Sequence, residues 1–145
     1  MTDLPASLAE IRDDFLALPE PQRLQLLLEF ANELPELPER LAGHPELQER
    51  VAECQSPVYI VLEVDGDTVA MHATAPREAP TTRGFASILA QGLTGLSVAD
   101  ALAVPDDFPQ SLGLTRAVSP LRIAGMTGML LRAKRQIRAR TAGAA

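Results

Sequence analysis

The sequence predicts an α+β protein in which helices pack on one face of a small antiparallel sheet built on a β-hairpin. Two patterns indicate this class. Apolar residues recur at helical spacing in the first third and after Ser119, whereas the centre is rich in β-branched residues around a short turn. The chain has 145 residues, 46% hydrophobic and 22% charged, which is typical of one globular domain.

Two antiparallel helices are expected in the first third of the chain. The first has apolar residues at helical spacing, namely Leu8, Ile11, Phe15 and Leu18. Ser7 and Glu10 have the spacing of a capping box at its start. Pro19 and Pro21 separate it from the second helix. The expected buried face of the second helix comprises Leu24, Leu27, Leu28, Ala31 and Leu34.

The middle of the chain predicts a β-hairpin. Three prolines interrupt residues 34–46, and a weak pattern indicates a helical turn at residues 47–51. Residues 58–64 and 68–74 then read as strands, and Asp-Gly-Asp at 65–67 suits the turn between them. One face of the first strand is uniformly apolar and should lie under the helices: Val58, Ile60, Leu62 and Val64. The opposite face carries Tyr59, Val61 and Glu63.

Further helices are expected after the hairpin. Thr81 or Thr82 can cap the first of them, and Ser97 with Asp100 can cap a short one. The last, long helix begins at Ser119-Pro120. Its expected buried stripe is Met126, Met129, Leu130, Ala133 and Ile137.

Two other features of the last helix have local explanations. Gly125 and Gly128 would let another backbone approach closely. Basic residues near its end would complement the helix dipole or, alternatively, form a docking surface, namely Arg132, Lys134, Arg135, Arg138 and Arg140.

Composition and motifs disfavour several functional classes. The net charge of −6 and an acidic first third argue against a nucleic-acid partner. One cysteine allows no internal disulfide and no multi-cysteine metal site, and no metal-ligand spacing or phosphate loop is present. No segment predicts a signal peptide or membrane span, so we expect a cytoplasmic protein without a membrane partner. Residues 1–140 should form one domain and residues 141–145 a disordered tail.

Cys54 is the candidate reactive residue, between the proline-rich stretch and the first strand. A thiolate is a strong nucleophile and needs no second cysteine for covalent sulfur chemistry. Two other interpretations stay open. A lone cysteine commonly acts as a small buried hydrophobe, and a cysteine hydrolase would need His44 or His72 beside Cys54 as a base.

Four segments, in the same order, carry a resemblance to a known family. Residues 53–61 read ECQSPVYIV and are similar to a GCQSQVW(I/V)V segment. Residues 34–37 read LPEL, and Arg83-Gly84 matches a pair of a basic residue and glycine. Residues 119–126, SPLRIAGM, resemble (S/T)PSRxxG. Together they resemble the SufE family of cysteine desulfuration proteins, over nearly the whole chain.

The resemblance implies a SufE/IscU-like fold and sulfur transfer. Such proteins take sulfur from the persulfide of a cysteine desulfurase, stimulate that enzyme and relay the sulfur to iron–sulfur cluster assembly. The expected partners are therefore the desulfurase and a downstream iron–sulfur scaffold. Pyridoxal phosphate belongs to the desulfurase, so no cofactor is expected in this chain.

Carried onto this sequence, the resemblance makes Cys54 the persulfide acceptor and Gln55 and Ser56 the residues that shape its loop. Arg122, and less directly Arg83, would favour the anionic sulfur or contact the desulfurase. The protein is thus expected to form a persulfide and activate a desulfurase rather than to be an independent enzyme.

The segment around Cys54 also departs from the family pattern. Glu53 replaces a glycine, and its carboxylate would raise the pKa of the neighbouring thiol. Pro57 replaces a glutamine and stiffens the loop. These departures leave a second function open, that of a non-catalytic desulfurase adaptor that has lost sulfur transfer.

Overall fold

The first two helices form a pair joined at Pro19. A computed structural model describes residues 4–142, beginning with α1 (Ala6–Ala17) and α2 (Glu20–Asn32). The inner face of α2 differs in part from the prediction, because Phe30 is buried and Leu28 is 38% exposed. Phe30 stacks on Phe15 of α1 with ring centroids 5.9 Å apart, so the larger aromatic side chain lies between the helices.

The expected capping box at the start of α1 is wrong. Pro5 is the N-cap residue, and no side chain caps the helix. Ser7 instead donates a hydrogen bond to the carbonyl oxygen of Gly92, 2.7 Å away. This hydroxyl therefore links two distant parts of the chain, which its local sequence could not indicate.

The proline-rich stretch contains only short elements. They are the single-turn helix α3 (Glu39–Ala42), a 3₁₀ turn (Pro45–Leu47) and the strand β1 (Glu49–Arg50). The expected helical turn at residues 47–51 is wrong because Glu49 and Arg50 pair with Ile60 and Tyr59. A two-residue strand has no periodicity of its own, and the pairing alone defines it.

The hairpin is confirmed as the centre of a three-stranded antiparallel sheet. Strands β2 (Tyr59–Asp65) and β3 (Thr68–Thr74) follow β1 in the order β1-β2-β3. Gly66 has φ +62° in the turn, a conformation that glycine adopts without strain. Val58, Ile60 and Leu62 are buried as expected, and Val61 on the opposite face is buried too, at 3% exposure.

Three helices complete the α+β fold: α4 (Pro80–Leu93), α5 (Val98–Ala103) and α6 (Pro120–Ala142). A 3₁₀ segment (Phe108–Leu112) precedes α6. Neither Thr81 nor Thr82 caps α4, because the helix already begins at Pro80. Ser97 caps α5 as predicted, by accepting a hydrogen bond from the backbone N–H of Asp100 at 3.1 Å.

Helix α6 lies along the open edge of β2. All five residues of its predicted stripe are buried. Beyond the short β1, the side chain of Gln136 accepts a hydrogen bond from Leu62 N–H at 2.8 Å, and Arg140 donates to the Leu62 carbonyl. These polar side chains pair the backbone groups that an exposed strand edge leaves open. Helix α6 includes residues 141 and 142, whereas the rest of the expected tail lies outside the described residues.

Gly84 brings α4 against the backbone of α2, and this contact is testable. A Cβ atom at Gly84 would lie 2.5 Å from the carbonyl oxygen of Leu27. We expect Gly84→Ala to lower the free energy of unfolding by about 1–3 kcal/mol, because two backbones would have to separate. The measurement is chemical denaturation.

Gly43→Ala is the matched control, since nothing lies within 4 Å of a Cβ atom there. That variant should stay within about 0.5 kcal/mol of wild type. Equal effects of the two substitutions would contradict the packing described.

Candidate functional site

Cys54 lies in a tight loop that leads into β2. The backbone N–H of Val51 donates to the carbonyl of Val58 at 2.9 Å and closes the loop. Within it, the N–H of Cys54 donates to the carbonyl of Val51 at 3.1 Å. We call residues 51–57 the cysteine loop. Because both of its ends are fixed at the sheet, the loop presents Cys54 to the start of α6.

Two glycines of α6 accommodate this loop, and the close approach expected at these glycines is confirmed. The Cys54 thiol lies 3.7 Å from the carbonyl oxygen of Gly125, and the residue is 7% exposed. A Cβ atom at Gly125 would lie 3.1 Å from Sγ, and one at Gly128 would lie 2.7 Å from Cδ of Glu53. The absence of side chains at these positions therefore lets Glu53 and Cys54 rest directly on the helix.

Glu53 is bound by a cation of α6. The guanidinium of Arg132 donates to Glu53 at 2.7 Å and to Glu49 of β1 at 2.6 Å. Arg135 and Gln136 also bind Glu49. Partial burial is the largest single influence on Glu53 and opposes its ionisation. The hydrogen bond from Arg132, a backbone hydrogen bond and the charge of Arg132 together outweigh it and hold the pKa of that carboxyl below its ordinary value.

The surroundings of Cys54 keep its thiol protonated. Burial, and secondarily the negative charge of Glu53, raise the pKa of Cys54 to about 11, while the charge of Arg132 opposes the rise. At neutral pH, roughly one molecule in ten thousand would then carry the thiolate, which is the nucleophilic form. The closed site therefore protects the thiol from oxidation as well as from stray reactions.

A polar cavity of about 360 Å³ adjoins the thiol. It lies between the cysteine loop, residues 78–82 at the start of α4, and residues 119–125 at the start of α6. Gln55, Ser56 and Arg122 line it together with Cys54. Among the described residues that line the cavity, Arg122 is the only cation. Leu121, 54% exposed, lies at the rim.

Arg83 does not lie at this cavity. Its guanidinium donates to the carbonyl of Ala31 at 2.8 Å and to that of Ala75 at 2.6 Å. These bonds link α4 to α2 and to the end of β3. The side chain lines a separate groove beside residues 34–37. In this conformation Arg83 therefore supports the fold around the site and cannot contact the sulfur atom.

Neither histidine lines the cavity with Cys54. His72 binds Glu63 at 2.9 Å, and His44 binds Glu46 at 3.0 Å. The structure thus offers no support for the nucleophile and base of a cysteine hydrolase.

Over residues 4–142, no cluster of candidate metal ligands is found, and no helix is long and apolar enough to cross a membrane.

Arg132 is the functional candidate that sequence reasoning missed. Its position predicted only a favourable interaction with the helix dipole, whereas the structure brings it to two carboxylates more than seventy residues away in sequence. In the sequence, Glu53 was the residue that could have indicated this ion pair. A carboxylate in place of a glycine, next to a candidate nucleophile, requires a cationic partner if the loop packs closely.

The fold and site define a class of small α+β proteins with one buried cysteine beside a polar cavity. Comparisons with known proteins identify the family. The profile of SufE, described as an Fe-S metabolism associated domain, matches residues 9–137. An uncharacterized SufE-like protein of Mycobacterium tuberculosis is 54% identical over 136 residues, covering 93% of this chain and 94% of that protein. The chain therefore belongs to the SufE family, which is associated with Fe–S metabolism.

Two further comparisons agree with this assignment. The SufE-like protein 1 of Arabidopsis thaliana, chloroplastic/mitochondrial, is 29% identical over 88% of this chain and 34% of that protein. The solution structure of a hypothetical protein from Thermus thermophilus superimposes with a TM-score of 0.84 at 36% identity, covering 97% of this chain and 99% of that one. The expected α+β fold and the expected family are thus both confirmed.

The raised pKa of Cys54 predicts an unusual pH profile of alkylation. A free thiol reacts at a rate that levels off above about pH 8.5, where the thiolate already dominates. In this protein the rate should keep rising towards about pH 11, because the folded state favours the neutral thiol. Iodoacetamide modification of the native protein, followed by mass spectrometry, measures this profile. A plateau near that of free cysteine would contradict the described environment.

Proposed function

We propose that the protein accepts sulfur on Cys54 from the persulfide of a cysteine desulfurase, stimulates that enzyme and relays the sulfur to iron–sulfur cluster assembly. Membership of the SufE family supports this function. The observation that carries it is the position of Cys54, which lines a polar cavity beside Gln55, Ser56 and Arg122.

The transfer step needs no external oxidant or reductant. The Cys54 thiolate attacks the outer sulfur of the donor persulfide, forming a new sulfur–sulfur bond. The bond within the donor persulfide breaks, and its electron pair leaves with the donor cysteine as a thiolate. One sulfur atom moves, Cys54 becomes a persulfide, and the proton that the thiol must first lose passes to solvent or to the partner.

The residues around the cavity have distinct roles in this proposal. The Arg122 guanidinium stabilises the negative charge on the transferred sulfur or on the donor. Gln55 and Ser56 shape the loop and offer hydrogen-bond donors to that sulfur. Arg83 contributes indirectly, because it fixes the start of α4. Pyridoxal phosphate stays with the desulfurase.

The resting conformation is not the reacting one. Cys54 is 7% exposed and faces Gly125, so a donor cysteine on another protein cannot reach its sulfur without movement. The cysteine loop is the element to move, since Gln55 and Pro57 are exposed and α6 is fixed along β2. Opening also removes the burial that keeps the thiol neutral, so access and activation would occur together.

Intact mass spectrometry tests the transfer. The protein is mixed with the cysteine desulfurase of the same organism and with cysteine, without added thiol reductant. Wild type should gain one sulfur atom on Cys54, whereas Cys54→Ser should gain none, because a hydroxyl cannot hold the persulfide. A mixture without cysteine controls for preexisting adducts.

Either of two results would reject the proposal. One is the absence of any sulfur adduct on wild type while the desulfurase turns over. The other is an equal adduct on Cys54→Ser, which would mean that the sulfur lies elsewhere.

A second candidate function is favoured by one observation, the carboxylate of Glu53 beside the thiol. Its charge contributes to the raised pKa of Cys54 and opposes formation of the nucleophile. The alternative is a non-catalytic adaptor of a desulfurase. In that case Cys54→Ala would still bind and fully stimulate the desulfurase, whereas sulfur transfer requires that this stimulation is lost.

A further inference from the structure

The cysteine loop is joined to α6 by one ion pair. In the part of the chain that the structure describes, Arg132 is the only cation that contacts the Glu53 carboxylate, at 2.7 Å. The guanidinium is three-quarters buried, and the carboxylate is a little less than half exposed. The ion pair is thus partly shielded from water, which strengthens it relative to an exposed pair.

Arg132 also binds Glu49, but that contact is redundant. The Glu49 carboxylate is held by Arg135 and by Gln136 as well, and the backbone of β1 pairs with β2. Removing the Arg132 side chain therefore leaves Glu49 in place and releases Glu53 alone. The structural consequence is confined to the cysteine loop.

Gly128 leaves the space through which the Glu53 side chain reaches Arg132. The Glu53 side chain lies against Gly128, where a Cβ atom would be within 2.7–2.8 Å of three of its carbons. The carboxylate reaches Arg132 across this gap, one helical turn further along α6. Since Glu53 directly precedes Cys54, the position of its side chain and the closed position of the thiol are coupled through one peptide unit.

We infer that Arg132 is a positioning residue whose ion pair with Glu53 holds Cys54 against Gly125, and that a partner must break this pair to reach the thiol. The inference rests on the proposed function, because keeping the thiol buried affects activity only if a partner reacts with it. It also gives Glu53 a structural role in closing the cysteine loop. The carboxylate that disfavours the thiolate in the closed state is the same group that keeps the loop closed.

Electrostatics and loop closure predict opposite effects of Arg132→Gln. The charge of Arg132 lowers the pKa of the Cys54 thiol, so its loss alone would make Cys54 less reactive. Its loss as an anchor would instead open the loop more often and make Cys54 more reactive. The direction of the change in alkylation rate therefore separates the two roles.

The experiment uses the isolated protein and two measurements. Amide hydrogen exchange at Cys54, read by NMR, reports loop opening independently of the thiol pKa, because this N–H is bonded to Val51 only while the loop is closed. Iodoacetamide alkylation reports access to the sulfur. Arg132→Gln and Glu53→Gln should each raise the Cys54 exchange rate about two- to fivefold, and Arg132→Gln should also speed alkylation.

Two further variants and a control test whether the Glu53–Arg132 ion pair is responsible for closure. The double variant should open no more than either single variant, because both remove one interaction. Arg132→Lys should restore part of the closure, since an ammonium can still pair with Glu53. Arg138→Gln is the control on another face of α6, because the Arg138 side chain is exposed and, within residues 4–142, makes no ion pair. It should leave both rates unchanged.

Slower or unchanged alkylation in Arg132→Gln, or unchanged Cys54 exchange, would overturn the inference. Additive effects in the double variant would overturn it too. If Arg132→Gln fails to fold, as judged by circular dichroism, the Cys54 exchange rate of the isosteric Glu53→Gln decides. No desulfurase is present, so failure here is distinguishable from failure of sulfur transfer.

Discussion

The close fit of the cysteine loop on two glycines of α6 is the constraint on which the site depends. Gly125 leaves room for the Cys54 sulfur, and Gly128 leaves room for the Glu53 side chain. The helix can act as this platform because Gln136 and Arg140 fix it to the open edge of β2. Sheet, helix and loop thus form one unit, and the position of the thiol follows from their packing.

This packing keeps the thiol buried and unreactive in the closed state, while the cavity beside it holds groups that could serve a reaction. In the closed state burial and a neighbouring carboxylate keep the sulfur neutral, and a neutral thiol is less readily oxidised than a thiolate. The cavity beside it already contains Arg122, a group suited to an anionic sulfur. Because the thiol already lines this cavity, opening of the cysteine loop alone would let a donor reach it beside Arg122.

The sequence predicted the elements whose signals are local. The hairpin turn at Gly66, the cap at Ser97 and the stripe of α6 are all confirmed, because propensity and periodicity act within a few residues. The cap at Ser7 was wrong because its hydroxyl bonds to a distant carbonyl. Arg132 was missed for the same reason, since its partners lie far away in the chain.

In the proposed function, the cysteine loop opens when the desulfurase binds. The most direct measurement is the alkylation rate of Cys54, read on its own peptide, with and without saturating desulfurase and without cysteine substrate. The reaction should be faster in the complex, because Cys54 is only 7% exposed in the free protein and the open loop would uncover its sulfur. An unchanged rate, with binding shown independently, would contradict it.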